Sequence, residues 1–598
     1  MMKKFLLIVC GSFVGTTLAL MVFMLMSIVF SIALMSIGSS MGKSATSVQK
    51  SSILHLDLSS EIAEREGGGE MSMLDLAQGN VSNSVGLNTL LAAIDKAKTD
   101  KKIEGIYIEC NGSSAAPATR FALRRALKDF KKSGKWIYAY GNEGIEQGDY
   151  YLATVADSIF VNPVGAVDVH GMASAVPYFK KLLDKVGVEM QIIRVGTFKS
   201  AVEPYMLEDM SEANRLQTEH YMGSIWKCMR DSMAADRKID LAMFNQLTDS
   251  MMVTLQPDSL VKCKVVDGVC FPSEMEARLK ARTKLDKDDD LRLVEPADYA
   301  TQVEESVSGD HIAVLYAVGE IVQTSEGGPM NASDGIVGED MVKQIRELQE
   351  DDDVKGLVLR VNSPGGSAFA SEQIWKALED FKATGKPLAV SMGDYAASGG
   401  YYISSGAQRV FAEPTTITGS IGIFGMIPCY EDLAENKLGV HMAVVKTNEN
   451  SDFGIMTKRM TPAQRNAMQR MINNGYDLFT KRCAQGRHVT QDSIKQIAEG
   501  RVWDGMTALK IGLVDELGDL QAAINWVGQK VGMKKDIKTQ NYPALSTDWR
   551  SMLNQMMASQ YELKLQGEMG MLYDWHKALL QMGRRDHVLC LMPETVLY

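Results

Sequence analysis

The sequence predicts an α/β protein built as a tandem duplication of one domain and preceded by one transmembrane helix. Three observations predict it: a gapless internal match, a strand–turn–helix–strand order within the matched block, and a long uncharged apolar stretch near the first residue.

The apolar stretch comes first in the chain. No residue from Phe5 to Gly42 is charged, and Phe5 to Ile37 is dominated by Leu, Met, Val, Phe and Ile. Crossing a bilayer takes about 20 such residues. Lys3 and Lys4 precede the stretch, so the positive-inside rule puts this end in the cytoplasm and everything after Lys43 on the far side. A cleaved signal peptide is the alternative, but its apolar region runs only about 7–15 residues, which favours a retained anchor over residues 1–45 with membrane lipid as its partner.

The internal match comes next. At a shift of 251 positions, Ile103–Gly171 aligns with Val354–Gly422 without a gap, with 16 identities in 69 positions. Roughly four would arise by chance at ordinary composition. The shared residues include Gly105 with Gly356, Asn111 with Asn362, Asp129-Phe130-Lys131 with Asp380-Phe381-Lys382, Tyr150-Tyr151 with Tyr401-Tyr402, and Pro163 with Pro414. The implied organisation is a first repeat over 50–282, a charged linker over 283–308 containing Lys287-Asp288-Asp289-Asp290, and a second repeat over 309–535. The Met-rich tail 536–598 stays unassigned.

Within the second repeat, Gly356–Val361 reads as a strand broken by Ser363-Pro364-Gly365-Gly366. Ala370–Thr384 reads as a helix, with Ile374, Leu378 and Phe381 on one face and Gly385 as its stop. Pro387–Ser391 is strand-like again. That order belongs to an α/β domain with a largely buried sheet.

Bulk properties exclude several functions. A chain of 598 residues exceeds one hydrophobic core, and 45% hydrophobic with 23% charged residues is a folded composition. A net charge of -11, with no basic run interleaved with aromatics, argues against nucleic acid as a partner. The eight histidines show no metal-ligand spacing, and no cofactor is indicated. The eight cysteines are scattered without a C-x-x-C pair; a Cys263–Cys270 bridge is less expected than two buried thiols.

Chemistry concentrates at two places. Ser398 lies in Ala396-Ala397-Ser398-Gly399-Gly400-Tyr401-Tyr402, after a predicted strand and at the start of a predicted helix, where small neighbours let a substrate backbone approach. Such turns are common, and Ser363-Pro364-Gly365-Gly366 reads equally as a tight turn or as a source of free N–H groups. Comparison of the copies says more. Ser398 corresponds to Gln147, and Ser363-Pro364-Gly365-Gly366 to Gly112-Ser113-Ser114-Ala115, so the first copy lacks this apparatus. The first copy holds Lys199 within Gly196-Thr197-Phe198-Lys199-Ser200-Ala201-Val202-Glu203-Pro204, whereas the best corresponding region of the second offers Asn448, Glu449 and Asn450. Each half lacks what the other keeps. A lysine activates a serine hydroxyl only when neutral, which burial can achieve; a surface lysine is the commoner fate.

Taken with Thr418-Gly419-Ser420-Ile421-Gly422, Gly500-Arg501-Val502-Trp503 and Gly512-Leu513-Val514-Asp515, these runs make the sequence resemble the long-form signal peptide peptidase A (protease IV) family over about residues 50–535. The resemblance implies a ClpP/crotonase-like fold in each repeat and a Ser/Lys serine peptidase. It implies Ser398 as nucleophile, Lys199 as base, Ser420 as the hydroxyl orienting Lys199, and Gly365, Gly366 and Gly399 as oxyanion contributors. It further implies peptide substrates such as cleaved signal peptides, a homo-oligomer with a tetramer as the candidate size, and the periplasmic side of a bacterial inner membrane. A crotonase-like fold also supports acyl-CoA chemistry, and a catalytically dead scaffold is a third reading.

Overall fold

The shift of 251 that aligns the copies in sequence also aligns their elements. Helix Leu87–Thr99 corresponds to Gly338–Glu350, strand Ile103–Glu109 to Val354–Ser363, helix Pro117–Lys131 to Ala368–Ala383, and strand Ser158–Val161 to Arg409–Ala412. A computed structural model describes residues 48–65, 85–300, 307–324, 335–533, 537–544, 588–592 and 596–597. The anchor expected over 1–45 lies outside the described residues, among which no helix is long and apolar enough to cross a membrane.

Sequence periodicity explains the helices. In Leu87–Thr99 the buried Leu87, Leu90, Ala93, Ile94 and Ala97 recur at three- and four-residue spacing, and Met341, Ile345 and Leu348 do the same in its counterpart. After Ala368–Ala383, Gly385 adopts φ +89° and its N–H reaches the Lys382 carbonyl at 3.0 Å, the left-handed stop that glycine tolerates best. Phe130 and its counterpart Phe381 are both fully buried, each contributing about 1.5–3 kcal/mol by leaving water.

Each repeat has its own sheet. The first is all parallel, in the order Gly268–Val269, Ser158–Val161, Trp136–Gly141, Ile103–Glu109, Ser52–Asp57, Leu293–Val294. The second runs Val502–Asp504, Ile417–Gly419, Leu388–Ala397, Val354–Ser363, His311–Val318, Thr539–Tyr542, with only Val502–Asp504 antiparallel to its neighbour among these. The strands read as continuous apolar runs because helices cover the parallel sheets.

A third sheet joins the repeats. Strand Glu189–Arg194 of the first repeat pairs antiparallel with Phe424–Cys429 of the second. Val588–Leu591, from the tail that sequence left unassigned, then lies antiparallel between Phe424–Cys429 and Gly365–Ser367.

The segment 283–308, expected to be a linker, is in part structural. Leu293–Val294 forms the edge strand beside Ile53 and Leu54, and Tyr299 of the short helix Pro296–Tyr299 is buried. Two apolar residues among many charges are too brief to register as a strand in sequence. His55 fastens the segment, with Nδ1 2.6 Å from Glu295 and Nε2 3.0 Å from Glu109. Burial alone would lower the imidazole pKa, but the two carboxylates raise it to about 9. The seven cysteines among the described residues, Cys263 and Cys270 included, are free.

Polar side chains also cross between the repeats. Helix Pro117–Lys131 has no cap from its own N-cap residue; instead Asp394 of the second repeat accepts the Thr119 N–H at 2.9 Å and the Thr119 hydroxyl at 2.6 Å. Arg125 donates to both carboxylate oxygens of Glu413, at 2.8 and 2.6 Å. Asp394 lies four residues before Ser398, so the contact between repeats is built beside the chemistry.

Candidate active site

Ser398 occupies the turn between strand Leu388–Ala397 and helix Gly399–Ser404, with φ +55° and ψ -112°. That conformation is strained for a residue bearing a Cβ and persists only where surroundings impose it. Here its N–H donates to the Gly419 carbonyl at 2.8 Å, and its own carbonyl accepts the Tyr402 N–H at 2.8 Å. Small Ala396 and Ala397 on one side and Gly399 and Gly400 on the other let the turn pack: a Cβ on Gly400 would meet the Ser363 carbonyl oxygen at 2.6 Å.

Lys199 follows Glu189–Arg194, the strand that carries the first repeat onto the second. Phe198 donates its N–H to the Glu499 carbonyl at 2.9 Å, and Arg194 donates to the Lys199 carbonyl at 3.0 Å. Gly500, φ +78°, approaches so closely that an added Cβ would stand 2.7 Å from the N, Cα and Cβ of Lys199. A Cβ on Gly422 would stand 3.2 Å from its Cδ. These two glycines form the slot in which the lysine stem lies.

The two chains of positioning meet at one point. Lys199 Nζ stands 2.7 Å from Ser398 Oγ, 3.0 Å from Ser420 Oγ and 3.1 Å from the Ser420 carbonyl. None of these partners is an anion. Lys199, Ser398 and Ser420 are all 0% exposed. Burial lowers the lysine pKa to about 7, so a large fraction of the amine is neutral near neutral pH. A neutral amine at that distance can take the serine proton, the step that makes a hydroxyl nucleophilic. Ser420 is itself fixed by φ +51° and by an N–H donated to Arg501 at 2.7 Å.

The three glycines expected as oxyanion contributors also gather here. A Cβ on Gly365 would be 2.7 Å from the Gly399 N, and one on Gly399 would be 3.1 Å from the Gly366 N. Gly365 and Gly366 take φ of +107° and +152°, and Gly366 passes within 2.0 Å of the Ile321 carbonyl oxygen at its would-be Cβ, so no other residue fits.

The first copy closes the equivalent place with its own side chains. Gln147, at the Ser398 position, accepts the His170 and Gly171 N–H groups at 3.1 and 2.9 Å and donates to the Gly171 carbonyl at 2.9 Å. Buried Asp149 accepts from the Gly112 N–H at 2.9 Å and the Ser113 hydroxyl at 2.5 Å. In the second copy, Asn448 and Glu449 lie in an exposed turn closed by Ser451.

Sequence reasoning missed the slot made by Gly422 and Gly500, the Thr119–Asp394 contact and the strand Val588–Leu591. The Gly500-Arg501-Val502-Trp503 run was a signal for the first, but its contact with Lys199 depends on a fold that spacing does not reveal.

A desolvated lysine against a serine in a strained turn, with glycine N–H groups alongside, is the equipment of a serine peptidase, and relatives bear that class out. The chain belongs to peptidase family S49, whose model matches residues 129–286 and 380–534, one stretch in each repeat. A Clp protease model matches residues 329–417. "Protease 4" of Haemophilus influenzae is 34% identical over 531 residues, covering 86% of this chain and 84% of that protein. "Protease 4" of Salmonella typhi is 38% identical over 455 residues, covering 75% and 72%. A "Putative signal peptide peptidase SppA" of Enterococcus faecium is 34% identical over 223 residues, covering 37% and 64%.

Proposed function

We propose that this serine peptidase is a membrane-anchored endopeptidase using Ser398 as nucleophile and Lys199 as general base, and that it degrades cleaved signal peptides and other short extracytoplasmic peptides. The observation that carries the dyad is the 2.7 Å separation of a fully buried Lys199 Nζ from Ser398 Oγ.

The chemistry follows from that geometry. Neutral Lys199 takes the Ser398 proton as Oγ attacks the peptide carbonyl carbon, and the N–H groups of Gly366 and Gly399 receive the developing oxyanion. Ser420 holds the amine on line by its 3.0 Å contact. Protonated Lys199 then gives its proton to the leaving nitrogen, and a water activated by the same amine releases the acyl group. Lysine in place of histidine is an established variant of triad logic. Replacing Ser398 by Ala is expected to abolish cleavage of a fluorogenic peptide while the protein still folds; activity surviving in that variant would move the nucleophile elsewhere.

Signal peptide substrates are supported by the name of the Enterococcus faecium relative and by the apolar stretch Phe5–Ile37, which would hold the enzyme at the membrane where such peptides remain. The lysines before that stretch support a periplasmic position for both repeats. Exposed Leu438, Val440, Met442, Val445 and Phe453 support a homo-oligomer, because one segment presenting this many apolar side chains suits a subunit contact. The full chain should therefore sediment with membranes and elute in detergent as a multiple of the chain mass, and a version lacking residues 1–45 should be soluble and active. A full chain in the soluble fraction would contradict the anchor.

A further inference from the structure

Helix Glu212–Arg237 of the first repeat is bonded along strand Val502–Asp504 of the second, and the buried stripe of that helix is polar where it starts. Asn214, Gln217 and Thr218 are buried at three- and four-residue spacing ahead of Tyr221, Ile225, Met229 and Met233. Burying an amide is costly unless its hydrogen bonds are met, so its partners say why it is there.

Gln217, 1% exposed, uses both ends of its amide. Nε2 donates to the Phe198 carbonyl at 3.1 Å and to Ser200 Oγ at 2.8 Å, the residues on either side of Lys199. Oε1 accepts the Val502 N–H at 3.1 Å. Asn214 Oδ1 stands 3.0 Å from the same Nε2, so the amide has one orientation, nitrogen toward acceptors and oxygen toward a backbone donor.

These contacts close a ring of bonds through the reacting pair. Val502 pairs with Gly419, whose carbonyl accepts the Ser398 N–H at 2.8 Å. Ser398 Oγ stands 2.7 Å from Lys199 Nζ, and the lysine backbone returns to Gln217 through Phe198 and Ser200. The Ser420 N–H hangs on the same strand segment, donating to the Arg501 carbonyl at 2.7 Å. The Phe198 carbonyl belongs to the peptide plane that enters Lys199, and a lysine Nζ lies roughly 6 Å from its Cα, so a tilt of that plane by about 10° carries the nitrogen about 1 Å. Misplacement on that scale costs about 100-fold in rate.

The second copy supplies the contrast. Its helix Pro462–Arg487 also has 26 residues, and the N-caps Ser211 and Thr461 and the left-handed C-caps Lys238 and His488 each correspond at a shift of 250. At that shift Gln217 corresponds to Ala467, which is exposed. The copy without the lysine lacks the glutamine as well.

We infer that Gln217 is the positioning residue that holds Lys199 at bonding distance from Ser398. The inference rests on the Ser398/Lys199 reading above. Gln217 works through the base and not on the substrate. Its neutral amide fixes the lysine segment without placing a charge beside an amine that acts only when uncharged.

The test uses Gln217→Met, which keeps the side-chain volume and removes both ends of the amide, and Gln217→Glu, which keeps only the acceptor for Val502. Each full chain is measured for kcat and KM on an apolar fluorogenic peptide, per folded molecule, and for the rate at which a fluorophosphonate labels Ser398. In both variants kcat and the labelling rate are expected to fall by about 10- to 100-fold, with KM within about 2-fold of the wild type. A second comparison sets Lys199→Met beside the double variant Lys199→Met/Gln217→Met. Because Gln217 acts through the lysine, these two should label at rates within about 2-fold of each other. Folded single variants with wild-type kcat overturn the inference, and so does a loss carried entirely by KM. A further fall in labelling beyond that 2-fold in the double variant overturns it as well. Failure of both single variants to fold makes Gln217 a structural residue and also overturns it. A wild type that neither cuts the peptide nor labels at Ser398 would overturn the dyad itself.

Discussion

Lys199 Nζ and Ser398 Oγ, 199 positions apart and supplied by different repeats, stand 2.7 Å from each other within one chain. The pairing explains why neither repeat carries a complete site. Strand Glu189–Arg194 leaves the first repeat to join Phe424–Cys429 of the second, and the lysine travels with it. A duplicated domain that shares one site in this way can let the unused positions change, as Gln147 and Asp149 have.

Because Lys199 acts only when neutral, kcat/KM is expected to rise with pH through a midpoint near the lowered pKa of about 7. The folded-state value lies below the ordinary 10.5, so the competent form accumulates above about 7 and is lost below it. Lys199→Arg should lose at least about 100-fold in kcat/KM, since a guanidinium stays protonated. Ser420→Ala should lose about 10-fold, the scale of one hydrogen bond, and move the midpoint of the same profile. A flat wild-type profile between pH 5 and 9 would speak against lysine as the base.

Asp394→Ala removes the side chain that caps helix Pro117–Lys131 through Thr119 and is expected to cost on the order of 1–2 kcal/mol, read as a lower melting temperature. Asp394→Ser, which can still accept the Thr119 N–H, should recover part of the loss. An unchanged melting temperature in the alanine variant would remove this contact from the account.

Much of this was legible in the sequence, for identifiable reasons. The gapless match exposed the duplication because both copies keep the glycines and aromatics that their shared sheet needs, such as Gly105 with Gly356 and Phe130 with Phe381. Ser398 and Lys199 stood out because each copy had lost the opposite member. What stayed hidden depends on non-local pairing. Leu293–Val294 has too few residues to declare itself a strand, and Val588–Leu591 becomes one only between two partners more than 160 residues upstream. The charge on His55 likewise arises from Glu109 and Glu295, which are remote in sequence.

The most direct test of the Ser398/Lys199 site is labelling of the full chain with a serine-directed fluorophosphonate, followed by peptide mapping. The adduct is expected on Ser398, forming faster as pH rises through about 7 and falling by at least about 100-fold in rate when Lys199 is replaced by Met. An adduct on another serine, or a Ser398 adduct that forms equally fast without Lys199, would contradict it.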